Sequence, residues 1–186
     1  MLGFYNYTVI LTYISLISGV FGMFFAVTGM VNGATLCLLF SGFCDLFDGK
    51  IARTKKDRTD QEKRFGIQID SLNDIVCFGV LPAMICVAVG CDKIWHACIA
   101  AFFVLCGLIR LAYFNVTEED RQKKTTENRK TYTGLPITSS SIIIPFLLCF
   151  KRLFGEMLPE VYVAALFIMA VLFISPITVK KPLSSK

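Results

Sequence analysis

"CDLFDGKIARTKKDRTDQEKRFGIQIDSLNDIVCFG", Cys44 to Gly79, carries two pairs of aspartates, Asp45 with Asp48 and Asp70 with Asp74. Residues 1–44 contain no Asp, Glu, Lys or Arg at all. The first acids therefore stand where one apolar stretch ends, and the second pair where the next begins. Asp45, Asp48 and Ala52 are spaced i, i+3, i+7, with Gly49 beside them, so they share one helix face. Asp70 and Asp74 are spaced i, i+4, with Gly66 one turn earlier. Two such helices packed side by side would bring four carboxylates together.

The apolar stretches set the fold class. The chain has 186 residues, 55% of them hydrophobic, and a mean hydropathy of +0.63. Its apolar residues come in blocks long enough to cross a bilayer, which takes about 20 residues per helix. The expected fold is an all-α integral membrane protein, a six-transmembrane-helix bundle forming a single membrane-embedded domain over residues 1–186. The spans are predicted at Thr8–Thr28, Ala34–Ile51, Ile69–Val89, Ile94–Val116, Ile137–Phe150 and Val161–Val179. "TGMVNGAT" reads as the first turn, with Gly29, Asn32 and Gly33 as breakers. Pro82, Pro145 and Pro176 lie in or at the ends of spans, where neighbouring helices tolerate a kink. The N-terminus lacks the positive n-region of a signal peptide and reads as the first span. The eight cysteines form no C-x-x-C pair and, with one His in the chain, do not suggest metal ligation; they read as reduced packing residues.

The net charge of +5 is not a nucleic-acid signal, because the basic residues sit in loops mixed with acids and lack interleaved aromatics. They set orientation instead. Residues 53–64 carry six Lys or Arg and residues 110–130 six more, with Lys180, Lys181 and Lys186 in the tail. The opposite turns hold only Lys93, Lys151 and Arg152. The positive-inside rule places the basic loops, and with them the four aspartates, on the cytoplasmic face.

Uncompensated acids at a membrane rim are costly and mark function. Carboxylate oxygens suit hard divalent ions, Mg²⁺, Mn²⁺ or Ca²⁺, and two such ions about 4 Å apart form a clamp for displacement at phosphorus. Gly49 and Ala52 leave room for a ligand against the helix, and Arg53 can fork onto a phosphate. Acids, gap and clamp together suggest a nucleotide diphosphate.

Asp45, Asp48, Gly49, Ala52, Arg53, Gly66, Asp70 and Asp74 match, in order, the signature D-x-x-D-G-x-x-A-R…G-x-x-x-D-x-x-x-D, and the chain resembles the CDP-alcohol phosphotransferase family over its whole length. Twelve residues, "TKKDRTDQEKRF", separate Arg53 from Gly66, more than the family commonly has; they are expected to lengthen a cytoplasmic loop. "IDSLNDIVCFGVLPA", "LIRLAYFNV" and "YTGLPITSS" look like the matching stretches of the bacterial phosphatidylserine synthases of that family. The resemblance implies transfer of a phosphatidyl group from CDP-diacylglycerol to L-serine, giving phosphatidylserine and CMP, by a homodimer in a bacterial cell membrane. It implies that Asp45, Asp48, Asp70 and Asp74 hold two divalent metal ions and that Asp74 is the general base. Asp48, Gly49, Ala52, Arg53 and Gly66 would hold the CDP moiety.

Other positions have weaker readings. Arg110 and Asn115, near the cytoplasmic end of the fourth span, read as phosphate or serine contacts, with a snorkelling orientation residue as the alternative for Arg110. Tyr132, Thr133 and Gly134 are placed near the acceptor pocket. Ser139, Ser140 and Ser141 read as packing hydroxyls. Trp95 is an interfacial anchor on the opposite face, beside a non-catalytic His96. Residues 118–130 read as a solvated loop. Two further readings stay open: the same chemistry with glycerol phosphate, inositol phosphate or another alcohol as acceptor, and a divalent-cation transporter that uses the four acids as its ion site.

Overall fold

The computed structural model describes residues 7–52, 59–124 and 131–180. Apolar helices dominate. Helix α1 spans Tyr7–Val27 and α2 Val31–Ala52. Helix α3, Asp60–Asp74, continues through a π-helical segment, Ile75–Val80, into α4, Leu81–Ala88. Helix α5 spans Ile94–Lys124, α6 Ser140–Cys149, α7 Lys151–Phe154 and α8 Leu158–Ile174. Among the described residues, five helical stretches are long and apolar enough to cross a membrane: 9–27, 31–48, 60–88, 94–121 and 151–174. Ile137–Cys149 is a shorter apolar helix. Two three-residue strands, β1 (Thr131–Thr133) and β2 (Thr178–Lys180), pair antiparallel at one end.

Helix α1 packs along α2, and α5 along α8. Large side chains such as Phe21, Phe24, Leu36, Phe43 and Phe146 point outward, as a bundle solvated by lipid allows. Contacts between helices are made through small groups. A Cβ on Gly42 would lie 2.3 Å from Ser141 Oγ, and one on Gly19 2.7 Å from Cys77 Sγ. All eight cysteines are free.

Pro82 explains the π segment. Proline has no N–H to donate one turn back, so a carbonyl in the preceding turn loses its partner. The ladder widens instead, with Leu81 N–H donating to Val76 O. The buried Ser140 hydroxyl donates to Phe78 O at 2.9 Å, and Tyr162 OH donates to Pro82 O at 2.8 Å. Ser140 is thus a specific backbone partner rather than a generic packing hydroxyl.

Four boundaries differ from the sequence reading. The last helix ends at Ile174 rather than Val179, because Ser175 is held extended before Pro176. The third helix starts at Asp60, not Ile69, because Thr59 caps it. Glu62 N–H donates to Thr59 Oγ1 at 3.2 Å and Thr59 N–H donates to Glu62 Oε2 at 2.8 Å, a reciprocal capping box. Half of the expected loop "TKKDRTDQEKRF" is therefore helix. Helix α5 likewise runs on to Lys124, where Glu118 and Arg121 pair at i, i+3 (2.6 Å), so part of the expected 118–130 loop is helical. Asn32 and Gly33 lie in the first turn of α2; Gly29, with φ +76°, makes the actual break.

Candidate metal and phosphate site

The two aspartate pairs meet where the side chains of the last turns of α2 reach those of the C-terminal half of α3. One carboxylate oxygen each from Asp45, Asp70 and Asp74 lies within 4.8 Å of the others. Asp48, on the same face of α2, lies against Asp70, and Asp74 reaches Asp45. Asp48 is 6% exposed and Asp74 8%; Asp45 and Asp70 are half-buried. Asp70 Oδ1 and Asp74 Oδ1 are buried with no hydrogen-bond partner among the described residues. Buried carboxylate oxygens without donors lose their hydration for nothing in return. A hard divalent cation matches this donor set of oxygens alone, so the residues fit the group the sequence suggests.

Arg110, on α5, is an opposing charge that acts on Asp74. It also lines a cavity of about 300 Å³ with Tyr113, Phe114, Phe173, Ile174 and Ser175. That cavity opens between α5 and α8 and carries one cationic group in an apolar wall. Gly134 closes the neighbouring chain: its N–H donates to Ile177 O at 2.8 Å, and its φ is +76°. A Cβ there would sit 2.6 Å from Phe173 O. Gly134 therefore packs against backbone.

Gly66 lies one turn before Asp70 on α3. Gly49 and Ala52 lie in the last turn of α2, where the backbone alone is described, as for Tyr132 and Thr133 in β1. Arg53 lies outside the described residues. Asn115 faces Ser71: its Nδ2 donates to Ser71 Oγ at 2.9 Å, and Ser71 Oγ lies 3.2 Å from its Oδ1. Both ends of the amide are directed at α3.

Sequence reasoning passed over a polar cluster directly beneath the acids. Asn73 Nδ2 donates to Ser15 Oγ at 3.3 Å, Cys77 Sγ lies 3.3 Å from Asn73 Oδ1, and Ser41 Oγ donates to Ser15 O at 3.1 Å. The available signal was three polar residues, Ser15, Ser41 and Asn73, inside otherwise apolar spans. At the opposite end, Lys93 Nζ pairs with Glu160 Oε1 at 2.6 Å. His96 lies 3.4 Å from the other Glu160 oxygen. This group is remote from the acids, as the sequence reading of Trp95 and His96 expected.

A helical membrane bundle with a buried carboxylate cluster at the ends of two adjacent spans defines the class. Residues 5–176 match the CDP-alcohol phosphatidyltransferase family, and the chain belongs to it. It is 34% identical over 152 residues to the CDP-diacylglycerol–serine O-phosphatidyltransferase of Saccharomyces cerevisiae, covering 75% of this chain and 54% of that protein. It is 34% identical over 128 residues to the archaetidylserine synthase of Methanothermobacter thermautotrophicus, covering 68% and 51%. A CDP-diacylglycerol–serine O-phosphatidyltransferase of Helicobacter pylori is 31% identical over 133 residues, covering 70% and 52%. The chain spans about half the length of these relatives.

Proposed function

We propose that this chain transfers the phosphatidyl group of CDP-diacylglycerol to L-serine, releasing CMP, at the cytoplasmic rim of the membrane and as a homodimer. The observation that carries the reading is the convergence of Asp45, Asp70 and Asp74 oxygens within 4.8 Å, with Asp48 against Asp70. The names of the relatives support serine as the acceptor. The basic loops next to the acids support the cytoplasmic placement.

Asp45, Asp48, Asp70 and Asp74 would hold the divalent ions, two per site and Mg²⁺ or Mn²⁺ by chemistry. Bound there, they would neutralise charge on the diphosphate and on the departing CMP. Asp74 is the residue assigned to receive the serine hydroxyl proton as that oxygen forms its bond to the β-phosphorus and the bond to CMP breaks. Its burial keeps water away from the carboxylate that must take this proton. Gly49, Ala52 and Gly66 lack bulk on the two acid-bearing helices, which leaves space for the cytidine, and Arg53 pairs with the phosphates. Arg110 offers its guanidinium beside Asp74, to the diphosphate or to the serine carboxylate. The site lies where the apolar parts of the two helices give way to polar residues, so acyl chains remain in the bilayer while the head group meets serine from water.

The test is CMP release by purified protein from CDP-diacylglycerol. Release is expected only with both serine and a divalent cation present, with phosphatidylserine as the lipid product by mass. Cation-dependent release that ignores serine and proceeds with another alcohol would retain the chemistry and refute the acceptor.

A further inference from the structure

Asp70 and Asp74 occupy the same face of α3, yet the two polar residues between them point elsewhere. At 3.6 residues per turn, Ser71 lies about 80° to one side of the direction midway between the two acids, and Asn73 about 80° to the other. Each is tied to a different neighbouring helix. Ser71 and Asn115 of α5 meet at 2.9 and 3.2 Å. Asn73 donates to Ser15 of α1 at 3.3 Å. Ser15 is locked in turn to α2, through Ser41 Oγ donating to its carbonyl at 3.1 Å, and Cys77 of the π segment lies 3.3 Å from Asn73 Oδ1. Helix α3 is thus held from both sides within the three residues that separate its acids.

Rotation is the movement such a pair of ties resists. A carboxylate oxygen stands about 6 Å from the helix axis, so turning α3 by about 20° displaces it by about 2 Å. Metal–ligand distances tolerate about 0.2 Å. Apolar packing alone resists small rotations poorly, because lipid-facing and bundle-facing surfaces are equally oily. Directed hydrogen bonds do resist them. We propose that the Ser71–Asn115 and Asn73–Ser15 pairs form a two-sided rotational clamp on α3, making Ser71, Asn73, Asn115 and Ser15 positioning residues for the aspartate site. This rests on the reading of the aspartates as a metal site. It gives Asn115 a role in holding α3 in place of direct substrate contact.

The test measures Mn²⁺ binding directly, from the loss of the free-ion paramagnetic resonance signal, beside kcat, KM for CDP-diacylglycerol and thermal unfolding without metal. Ser71→Ala and Asn73→Ala are expected to weaken Mn²⁺ binding about 10- to 100-fold, the usual scale for losing partners that orient ligands. kcat should fall with it, and KM should move less. Ser71→Thr keeps the hydroxyl and should restore most of the affinity. Ser71→Ala with Asn115→Ala should cost no more than either alone, because the two make one contact. Ser18→Ala is the control: it removes a comparable α1–α2 hydrogen bond, to Cys37 O at 3.2 Å, away from the acids. It should lower the unfolding temperature and leave Mn²⁺ affinity unchanged. Should Asn73→Ala not fold, the Ser71 and Asn115 variants carry the test. The clamp is overturned if Ser71→Ala and Asn115→Ala bind Mn²⁺ within about twofold of the parent, or lose affinity only in proportion to lost stability, as the control would. A parent protein that binds no Mn²⁺ overturns the metal-site reading itself, and the clamp with it.

Discussion

Replacing Asp74 by Asn should raise stability and abolish turnover together. The change preserves shape, and Asp74 is 8% exposed, so packing is retained. What disappears is one negative charge from a cluster whose oxygens lie within 4.8 Å of one another. At an effective dielectric of about 20, two unit charges 4.8 Å apart repel by about 3.5 kcal/mol. Asp74 has two such neighbours, Asp45 and Asp70. A proton shared within the cluster, relaxation and counter-ions remove most of the sum, which leaves an expected gain of about 1–3 kcal/mol in metal-free protein, or roughly 2–10 °C in unfolding temperature. Divalent cation should narrow the gap. At 100 times Kd, a bound ion stabilises the parent by about 2.7 kcal/mol. If losing one ligand weakens binding tenfold, the variant gains only about 1.4 kcal/mol at the same concentration. Loss of the base should lower kcat by about 10²–10⁴-fold. The assay is thermal unfolding in detergent with and without Mn²⁺, beside CMP release. An Asp74→Asn variant that is less stable than the parent without metal, or that turns over within a few-fold of it, would falsify the account of an electrostatically strained metal site with Asp74 as its base.

Ser140→Ala should cost about 0.6–1.7 kcal/mol, the range for interhelical hydrogen bonds in membranes. The penalty should shrink in a Pro82→Ala background, where the backbone regains its donor; equal penalties in both would separate Ser140 from the proline. Gly134→Ala should destabilise by at least about 2 kcal/mol, combining a positive φ with a Cβ clash, since that Cβ would lie 2.6 Å from Phe173 O; unchanged unfolding would show that β1 is not held against α8. Lys93 should contribute stability that vanishes only in strong alkali. Its hydrogen bond to Glu160 raises its pKa above the ordinary 10.5, so the contribution is complete below that value and is lost as pH climbs through the folded one. Lys93→Met should therefore unfold below the parent at neutral pH and match it only once pH has passed the raised folded-state value; a difference that persists after the lysine has lost its proton would exclude the ion pair as its source.

Much of the site was legible because its chemistry sits in fixed helical spacing. Asp45 and Asp48 at i, i+3 and Asp70 and Asp74 at i, i+4 had to share faces once their segments were helical, and hydropathy alone made them so. Boundaries were less legible where apolarity and helicity part company. Residues 60–66 are too polar for a membrane span, so hydropathy started the helix at Ile69, while the Thr59–Glu62 capping box extends it well beyond the oily stretch. The capping box was readable as T-x-x-E but stood in a charged run that looked like loop. The Ser15–Asn73 and Ser71–Asn115 pairs were illegible for another reason. They join residues 58 and 44 positions apart, and which apolar span lies beside which is decided by packing that local pattern does not encode.

The same arithmetic that makes the Asp74→Asn variant more stable explains why polar ties and small residues gather around the acids. Three carboxylates held within 4.8 Å would repel by several kcal/mol if all were ionised, so without a cation the cluster must take up a proton or move apart. A bundle held only by oily contacts would relieve that by rotating or separating α2 and α3. The close approaches at Gly42–Ser141 and Gly19–Cys77 fix how near α2 stands to α6 and α1 to the π segment that continues α3, and the hydrogen bonds at Ser15, Ser41, Asn73 and Ser71 fix how these helices are turned. Close packing alone is indifferent to small rotations, and hydrogen bonds alone could follow a helix as it moves away. The acids need both constraints at once. This is why the least apolar part of the bundle's interior lies immediately under its most strained charges.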